Sequence, residues 1–282
     1  MPSSRRQRKL WILDTETADF FPSWAAFDAE TATWVMHVHG WVYNHKPSSK
    51  IRSAILHWLC RMLGMSTADF ASAVFQERSR PFLVSNEKGK RLSVRLGDFV
   101  FPLGKSASTG HFEGIIKLSP DEMNVLRTEI DGSPVVPFEA VMPPTDERRI
   151  VGGARIIAPT GLSIVSDIDD TIKHSDVASR RKLFANTLVR DFAPIPGMAD
   201  LYRQWAQQGA EFHYVSTSPW QLYKPLAAFM ETYQFPRGTV HLKAMRWKNT
   251  GLLRLLLSPK SVKRRAIKPL IAAMPGRKFL FV

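Results

Sequence analysis

The second half of the 282-residue chain alternates short apolar stretches with longer stretches of helical periodicity. The short stretches "ARIIA", "LSIVSD", "EFHYVS", "TVHLK" and "KFLFV" are typical of strands. Between them, "GMADLYRQWAQQG" places Met198, Leu201 and Trp205 at i, i+3 and i+7, which indicates a helix. Strands that alternate with helices predict an α/β fold with a parallel sheet and flanking helices. Ligands of such sheets bind outside the carboxyl ends of the strands.

The first half of the chain predicts a smaller β-rich domain. In "TWVMHVHGWVY" apolar residues recur at every second position of one face, which is the pattern of a strand. His37 and His39 lie on the other face and, with no third ligand at a telling distance, are predicted to be surface histidines. The stretch "RPFLVSNEKGKRLSVRL" predicts a hairpin, and "GHFEGIIKL" predicts another strand. Apolar residues at 51, 55, 58, 59 and 62 predict one helix.

These patterns divide the chain into four segments. We predict a basic tail over 1–20 and the β-rich domain over 21–135. The stretch 136–153 is rich in proline and closes on two glycines, which predicts a linker. Residues 154–282 are predicted to form the α/β domain.

The charge balance favours anionic partners. Lys and Arg outnumber Asp and Glu by 39 to 25, giving a formal net charge of +14, so nucleic acid and acidic membrane are both candidates. Nucleic acid ranks last because no recognised nucleic-acid motif accompanies the basic residues. No apolar run approaches the roughly 20 residues of a spanning helix, which predicts a soluble or peripheral protein. The only cysteine, Cys60, excludes an intrachain disulfide and favours a reducing, cytoplasmic location.

The stretch "IVSDIDDTIK" places three carboxylates directly behind an apolar strand. Asp167 and Asp169 are two positions apart, so in an extended chain they point to the same side and repel each other unless a cation lies between them. Mg²⁺ suits such a pair, because it prefers oxygen ligands and commonly takes one or two carboxylates. A calcium loop is excluded, since Ile172 and Ala178 stand where it requires glycine and glutamate. A solvated turn at the strand end is the alternative.

Two further segments carry polar groups toward the same edge of the predicted sheet. The strand "EFHYVS" ends at Ser216, whose hydroxyl could hold a phosphoryl oxygen. Ser218 and Pro219 then open a predicted helix, "TSPWQLYKPLAAFMETY", whose N-terminus favours anions; Ser218 is equally explained as an N-cap. Lys263 lies near the start of the last predicted helix, where on spacing alone it is one more surface cation. Pro269 predicts that this helix ends by 268.

Three stretches together resemble a known superfamily. "SIVSDIDDTIKHSDV", "GMADLYRQWAQQGAEFHYVSTSPWQLY" and "KRRAI" before an apolar strand resemble the haloacid-dehalogenase (HAD) superfamily. More narrowly, they are similar to the catalytic domain of the actin-patch-associated, Mg²⁺-dependent phosphatidate phosphatases, which are related to lipins. The resemblance extends from about 154 to 282 and implies a Rossmann-like, HAD-type sheet.

The resemblance also implies a role for each motif residue. Asp167 matches the nucleophile that forms an aspartyl-phosphate, and Asp169 matches the general acid and base. Thr171 matches the position that steadies the loop. Ser216 matches the hydroxyl that binds the phosphoryl group, and Lys263 matches the lysine that offsets negative charge. The implied cofactor is Mg²⁺, held by Asp167, the backbone carbonyl of Asp169 and waters. The implied substrate is phosphatidate or another phosphomonoester at an anionic membrane surface.

The C-terminus departs from the family pattern. In the family, the strand that resembles "KFLFV" continues into a fourth motif whose acidic residues complete the Mg²⁺ shell, whereas this chain stops at Val282. We therefore expect a C-terminally incomplete domain with a weakened metal site and impaired hydrolysis. The alternative is a non-catalytic module that binds phosphatidate or other anionic lipids. The expected location is cytoplasmic, with peripheral attachment to membranes as an open question.

Overall fold

The computed structural model describes residues 11–45, 54, 57–58, 61–62, 64–244 and 261–282. The chain divides into two compact units. The β-unit comprises Met1–Lys46, Ser85–Thr160 and Ala272–Arg277, and the α/β-unit comprises Pro47–Val84, Gly161–Ile271 and Lys278–Val282. Cys60, the first ten residues and most of the helix predicted over 51–62 lie outside the described residues.

The described residues form both strands and helices. The strands are β1 (Glu16–Phe20), β2 (Ser23–Asp28), β3 (Thr33–Asn44), β4 (Ser85–Asn86), β5 (Arg91–Leu96), β6 (Phe99–Lys105), β7 (His111–Leu118), β8 (Thr128–Ile130), β9 (Ser133–Ala140), β10 (Val151–Ile157), β11 (Gly161–Asp167), β12 (Glu211–Pro219), β13 (Gly238–Lys243) and β14 (Arg277–Phe281). The helices are α1 (Thr67–Ala71), α2 (Ala73–Leu83), α3 (Pro120–Leu126), α4 (Arg180–Leu188), α5 (Met198–Gln207), α6 (Tyr223–Thr232) and α7 (Ser261–Ala273). None of these helices is both long and apolar enough to cross a bilayer.

The β-unit is built on one sheet of ten strands, in the order β1-β3-β2-β10-β9-β5-β6, with β4 and β7 on β3 and β8 on β9. The strands pair antiparallel except for β10 and β2, which run parallel. The strand predicted from the period-two pattern is confirmed as β3, and its Met36, Val38 and Val42 are buried in the core of the unit. His37 stacks on Trp24 instead of lying free on the surface, with ring centroids 3.9 Å apart.

The predicted hairpin is wrong in its first half. Residues assigned to its leading strand belong to helix α2, and β5 instead pairs with β6 and β9. Phe75 and Phe82 explain the difference: at a spacing of seven they share one face of a helix, and both are buried. Ser72 caps this helix by accepting a hydrogen bond from the backbone N–H of Phe75 at 3.2 Å.

The predicted segments also differ from the compact units. The predicted linker, 136–153, instead contains most of β9 and the start of β10, and the predicted tail, 1–20, contains β1. Gly152 shows why the glycine pair misled the prediction. A Cβ atom there would lie 2.5 Å from the ring of Phe138, so the glycine permits close packing between paired strands and does not mark a linker.

The α/β-unit contains a four-stranded sheet in the order β13-β12-β11-β14. β11 pairs parallel with β12, and β12 pairs parallel with β13. On the other side of β11, the N–H of Val282 donates to the carbonyl of Val165 at 3.0 Å and the N–H of Asp167 donates to the carbonyl of Val282 at 2.9 Å. The predicted α/β character is confirmed. Because the strand order reverses at β11, the end of this strand is where such sheets place their ligands.

Several boundaries in the α/β-unit differ from prediction. Ser218 does not cap a helix, because β12 extends to Pro219 and a 3₁₀ turn at Trp220–Leu222 precedes α6. Helix α7 continues through Pro269 instead of ending at 268. Leu270 and Met274 lie beyond this proline and are almost completely buried, so their packing offsets the roughly 3 kcal/mol cost of an interior proline. Helix α4 was not predicted, because its sequence "RRKLFANTL" lacks a clear apolar stripe.

Candidate active site

The candidate site lies at the carboxyl ends of β11 and β12. Asp167 is the last residue of β11 and pairs in register with Val215, so the next residue of β12, Ser216, lies at the same edge of the sheet. The chain then turns tightly after Asp167. The N–H groups of Ile172 and Lys173 both donate to the carbonyl of Ile168 at 3.1 Å. This turn gathers residues that follow β11 beneath the end of β12.

Asp167 presents a partly exposed carboxylate. Its Oδ1 accepts a hydrogen bond from the N–H of Ile168 at 2.8 Å, and its Oδ2 accepts one from the ammonium of Lys263 on α7. The Asp167 side chain keeps 25% of its surface exposed. The structure therefore brings the predicted nucleophile into contact with the predicted cation, and solvent or a ligand can still reach the carboxylate.

The carboxylate of Asp169 is enclosed, with 12% of its side chain exposed. Its Oδ1 accepts from Ser175 at 2.7 Å, and its Oδ2 accepts from Ser216 at 2.7 Å and from Ser218 at 3.0 Å. The ammonium of Lys173 lies 3.1 Å from Oδ1. Burial alone would raise the pKa of the Asp169 carboxyl, but this ammonium and the hydroxyl donors outweigh it, so the pKa lies below its ordinary value.

Asp170 holds the loop that follows. It adopts a left-handed backbone conformation, with φ of 60°, and its carboxylate accepts from the N–H groups of Ser175, Asp176 and Val177 at 2.7–2.8 Å. Burial acts to raise the pKa of Asp170. The three hydrogen bonds together lower it by more, so the pKa lies below its ordinary value. Among the described residues the side chain of Thr171 forms no hydrogen bond, so its predicted part in steadying the loop stays a prediction.

Comparison with known families shows what the last 121 residues of the chain are similar to. Residues 162–282 match the family model described as phosphatidate phosphatase APP1, catalytic domain. Residues 162–282 are therefore similar to the APP1 catalytic domain. The family is one of phosphatidate phosphatases, which are hydrolases, and the predicted resemblance is confirmed.

Two yeast proteins are similar over longer or overlapping stretches. Phosphatidate phosphatase APP1 of Saccharomyces cerevisiae is 29% identical over 220 residues, which are 74% of this chain and 36% of that protein. Uncharacterized protein C29B5.04c of Schizosaccharomyces pombe is 30% identical over 132 residues, which are 45% of this chain and 21% of that protein. The chain thus spans about a third and about a fifth of the length of these curated relatives.

The two carboxylates of the candidate site, Asp167 and Asp169, are not equally able to bind Mg²⁺. Asp167 fits, because it is partly exposed and Mg²⁺ commonly takes one carboxylate and completes its shell with water and phosphate. The side chain of Asp169 does not fit, because the four acceptor positions of its carboxylate are already taken. In the part of the chain that the structure describes, no cluster of three or more His, Cys, Asp or Glu side chains could hold a metal.

Sequence reasoning missed two groups in this site. Lys173 and Ser175 bind Asp169, and both are almost completely buried. The available signal was the lysine four residues after Asp169, since a turn brings such positions together. Ser166 and Tyr202 were also missed. The Ser166 hydroxyl donates to the carbonyl of Asp167 at 2.6 Å and, with its one hydrogen used there, accepts from Tyr202 at 2.8 Å.

Proposed function

We propose that this chain is a phosphatidate phosphatase-type phosphomonoesterase with a Rossmann-like, HAD-type catalytic sheet, and that it acts through an aspartyl-phosphate on Asp167. The observation that carries the proposal is the position of the Asp167 carboxylate. It is partly exposed at the carboxyl end of a central parallel strand, with Lys263 on one oxygen. The match of residues 162–282 to the APP1 catalytic-domain model supports phosphatidate as the substrate.

In the proposed reaction an oxygen of Asp167 attacks phosphorus, and the bond from phosphorus to the ester oxygen breaks. The leaving alkoxide takes a proton through Asp169. Because the Asp169 carboxyl has a lowered pKa and is ionised, that proton comes from the monoanionic form of the phosphate ester, whose second pKa lies near 6. Water then attacks the aspartyl-phosphate and gives a proton to Asp169, which passes it to solvent and is ionised again, as inorganic phosphate and the free Asp167 carboxylate are released.

The other residues stabilise charge and position the phosphoryl group. Lys263 offsets negative charge on Asp167 and on the transferring phosphoryl group. The hydroxyls of Ser216 and Ser218 lie beside Asp169 and can donate to phosphoryl oxygens. Mg²⁺ held by Asp167 would supply further neutralisation of the phosphate. The impaired hydrolysis expected from the absent fourth motif stays a prediction.

The test is release of inorganic phosphate from vesicles that contain phosphatidate, with Mg²⁺ present. Asp167→Asn should lower the rate by at least about a thousandfold, because it removes the nucleophile. Asp98→Asn, a matched change in the exposed turn between β5 and β6, should leave the rate unchanged. Acid quenching followed by mass spectrometry should show phosphate on the peptide that contains Asp167. Equal rates for the unchanged chain and Asp167→Asn would refute the proposal.

A second candidate is a module that binds phosphatidate without hydrolysing it. The enclosed Asp169 carboxylate favours it, because a carboxylate with four contacts is poorly placed to exchange protons. It predicts no phosphate release, together with vesicle binding that is selective for phosphatidate and unchanged in Asp167→Asn. Equal binding to other anionic lipids at matched charge would count against it.

We also propose that the chain works in the cytoplasm at anionic membrane surfaces. Its formal net charge of +14 supports attraction to such surfaces, to which each nearby Lys or Arg contributes about 1 kcal/mol. Sedimentation with phosphatidate vesicles should therefore decrease as salt is raised, because salt screens the attraction. Sedimentation that does not change with salt would argue against an electrostatic attachment. Nucleic acid remains the lowest-ranked partner.

A further inference from the structure

The two oxygens of Asp169 have different surroundings. Oδ1 faces the buried pair Lys173 and Ser175, whereas Oδ2 faces the hydroxyls of Ser216 and Ser218 at the end of β12. The first pair comes from the turn after β11 and the second from the neighbouring strand. The carboxylate is therefore held from two independent sides.

The contacts on Oδ1 are fixed. Lys173 has only 1% of its surface exposed, and its three ammonium hydrogens are all accounted for: they face Asp169, Ser175 and the ring of Phe192, whose centroid lies 4.8 Å away. Ser175 is fully buried, and its N–H and carbonyl are bonded to Asp170 and Asn186. Neither side chain can leave Oδ1 without abandoning a charge or a hydrogen bond in the interior.

The contacts on Oδ2 can be exchanged. Each serine hydroxyl has a single hydrogen, and in this structure Ser216 and Ser218 both donate it to Oδ2. A hydroxyl that turns to a phosphoryl oxygen must withdraw that hydrogen from Asp169. Ser218 is partly exposed, so it is the hydroxyl that a ligand reaches first, whereas Ser216 is buried behind it.

We propose that Lys173 is a positioning residue that anchors Oδ1 of Asp169, so that a phosphate ester which takes the serine hydroxyls uncovers Oδ2 for proton transfer. Binding of the phosphoryl group would thereby switch Oδ2 from an acceptor of serine hydrogens to the atom that passes a proton to the leaving oxygen. Lys173 itself touches neither substrate nor reacting atoms. This inference rests on the proposed function, because it assigns the proton transfer to Asp169.

The first test compares two leaving groups. Lys173→Met should lower kcat by about a hundredfold or more on an alkyl phosphate, whose alkoxide needs a proton, and by less than about tenfold on p-nitrophenyl phosphate, which leaves without one. KM should stay within about threefold of the unchanged chain for both. Ser175→Ala, which keeps the charge and removes one donor to Oδ1, should give the same pattern with smaller losses. Lys182→Met, the same change at an exposed lysine, is the control. Equal losses on both substrates would indicate a general structural role and overturn the proposal.

The second test needs no activity. The melting temperatures of Lys173→Met, Asp169→Asn and the double variant form a cycle. Lys173→Met should lower the melting temperature more in the unchanged chain than in the Asp169→Asn background, because in the latter no buried carboxylate is left unpaired. If the shifts in melting temperature of the two single variants add up to that of the double variant, Lys173 does not anchor Asp169 and the proposal is overturned. If the unchanged chain is folded but inactive, the proposed function fails. The melting-temperature cycle would still decide whether Lys173 holds Asp169.

Discussion

At the residue scale, Asp170 shows how one side chain can hold the turn of the candidate site. It occupies a left-handed conformation, and its carboxylate accepts three backbone N–H groups of the segment that carries Ser175. Aspartate and asparagine tolerate this conformation better than most residues, because their short polar side chains bond locally. Asp170 stands next to Asp169 in the candidate site, but its carboxylate binds only backbone N–H groups, so its role is to hold the loop.

Asp170→Asn should keep the conformation but lose an acceptor, because an amide oxygen replaces two carboxylate oxygens. We expect the free energy of unfolding to fall by about 1–2 kcal/mol, and by about 1 kcal/mol more for Asp170→Ala, which also strains the left-handed backbone. Urea unfolding at pH 7 measures both. Equal losses in the two variants would mean that the charge of Asp170, and not its bonds, is the dominant contribution.

At the scale of elements, helix α2 belongs to the α/β-unit although it lies outside the matched residues 162–282. Its Arg78 is buried and donates to the carbonyl of Thr187, in the last turn of α4, at 3.2 Å and to that of Arg190, just after α4, at 2.5 Å. The guanidinium also lies 3.7 Å from the centroid of Phe192, the ring that Lys173 faces. Burial lowers the pKa of Arg78, and this effect exceeds the opposite effect of the nearby carboxylates of Asp191 and Glu77. The unit is therefore completed by an element far upstream.

Arg78→Met should lower the free energy of unfolding by about 2–4 kcal/mol, because it removes a cation–π contact and leaves two carbonyls without their donor. Arg80→Met, an exposed change in the same helix, should stay within about 0.5 kcal/mol of the unchanged chain. Chemical denaturation followed by far-UV circular dichroism gives both values. A similar small effect in both variants would mean that α2 contributes little to the unit.

The elements also show which structure could be predicted. Strands β3, β7, β11 and β13 followed from local apolar pattern, and helix α5 followed from its i, i+3, i+7 spacing, because each is marked by apolar residues close together in the sequence. Helix α2 and the strands of the supposed linker were missed because packing against distant residues, such as Phe138 on Gly152, decided their form. In the candidate site, Lys263 contacts Asp167 and Ser216 contacts Asp169, while the chemical roles of these residues stay predictions. Which other groups bind Asp169 depended on a turn that periodicity does not describe.

At the scale of the whole molecule, buried histidines link stability to pH. Burial lowers the pKa of His37 and of His111 to about 4, so both are neutral in the folded β-unit at neutral pH. The unfolded chain takes up these protons near pH 6.5, whereas the folded chain takes them up only near pH 4. Stability should therefore be fully present above about pH 6.5 and should decrease as the pH falls toward 4.

His37→Phe should make that decrease shallower, because phenylalanine keeps the stack on Trp24 but takes up no proton. In this interval one histidine contributes a slope that approaches about 1.4 kcal/mol per pH unit. Urea unfolding at pH 7, 6 and 5 gives the slope, and hydrogen exchange with mass spectrometry assigns it to the β-unit. Identical slopes for the variant and the unchanged chain would show that His37 does not carry the effect.

The interleaving of the two units has a consequence for synthesis on the ribosome. The α/β-unit draws on Pro47–Val84 and also on Lys278–Val282, so about 190 residues must be translated between its first helices and its last strand. At about 5–20 residues per second this takes roughly 10–40 s. For roughly the first 100 residues of that stretch, the buried face of α2, with Phe75 and Phe82, lacks the segment at Thr187 and Arg190 that Arg78 contacts. The α/β-unit is thus completed only after residue 282 has been translated, and chaperones that shield apolar helices would have a prolonged contact with α2.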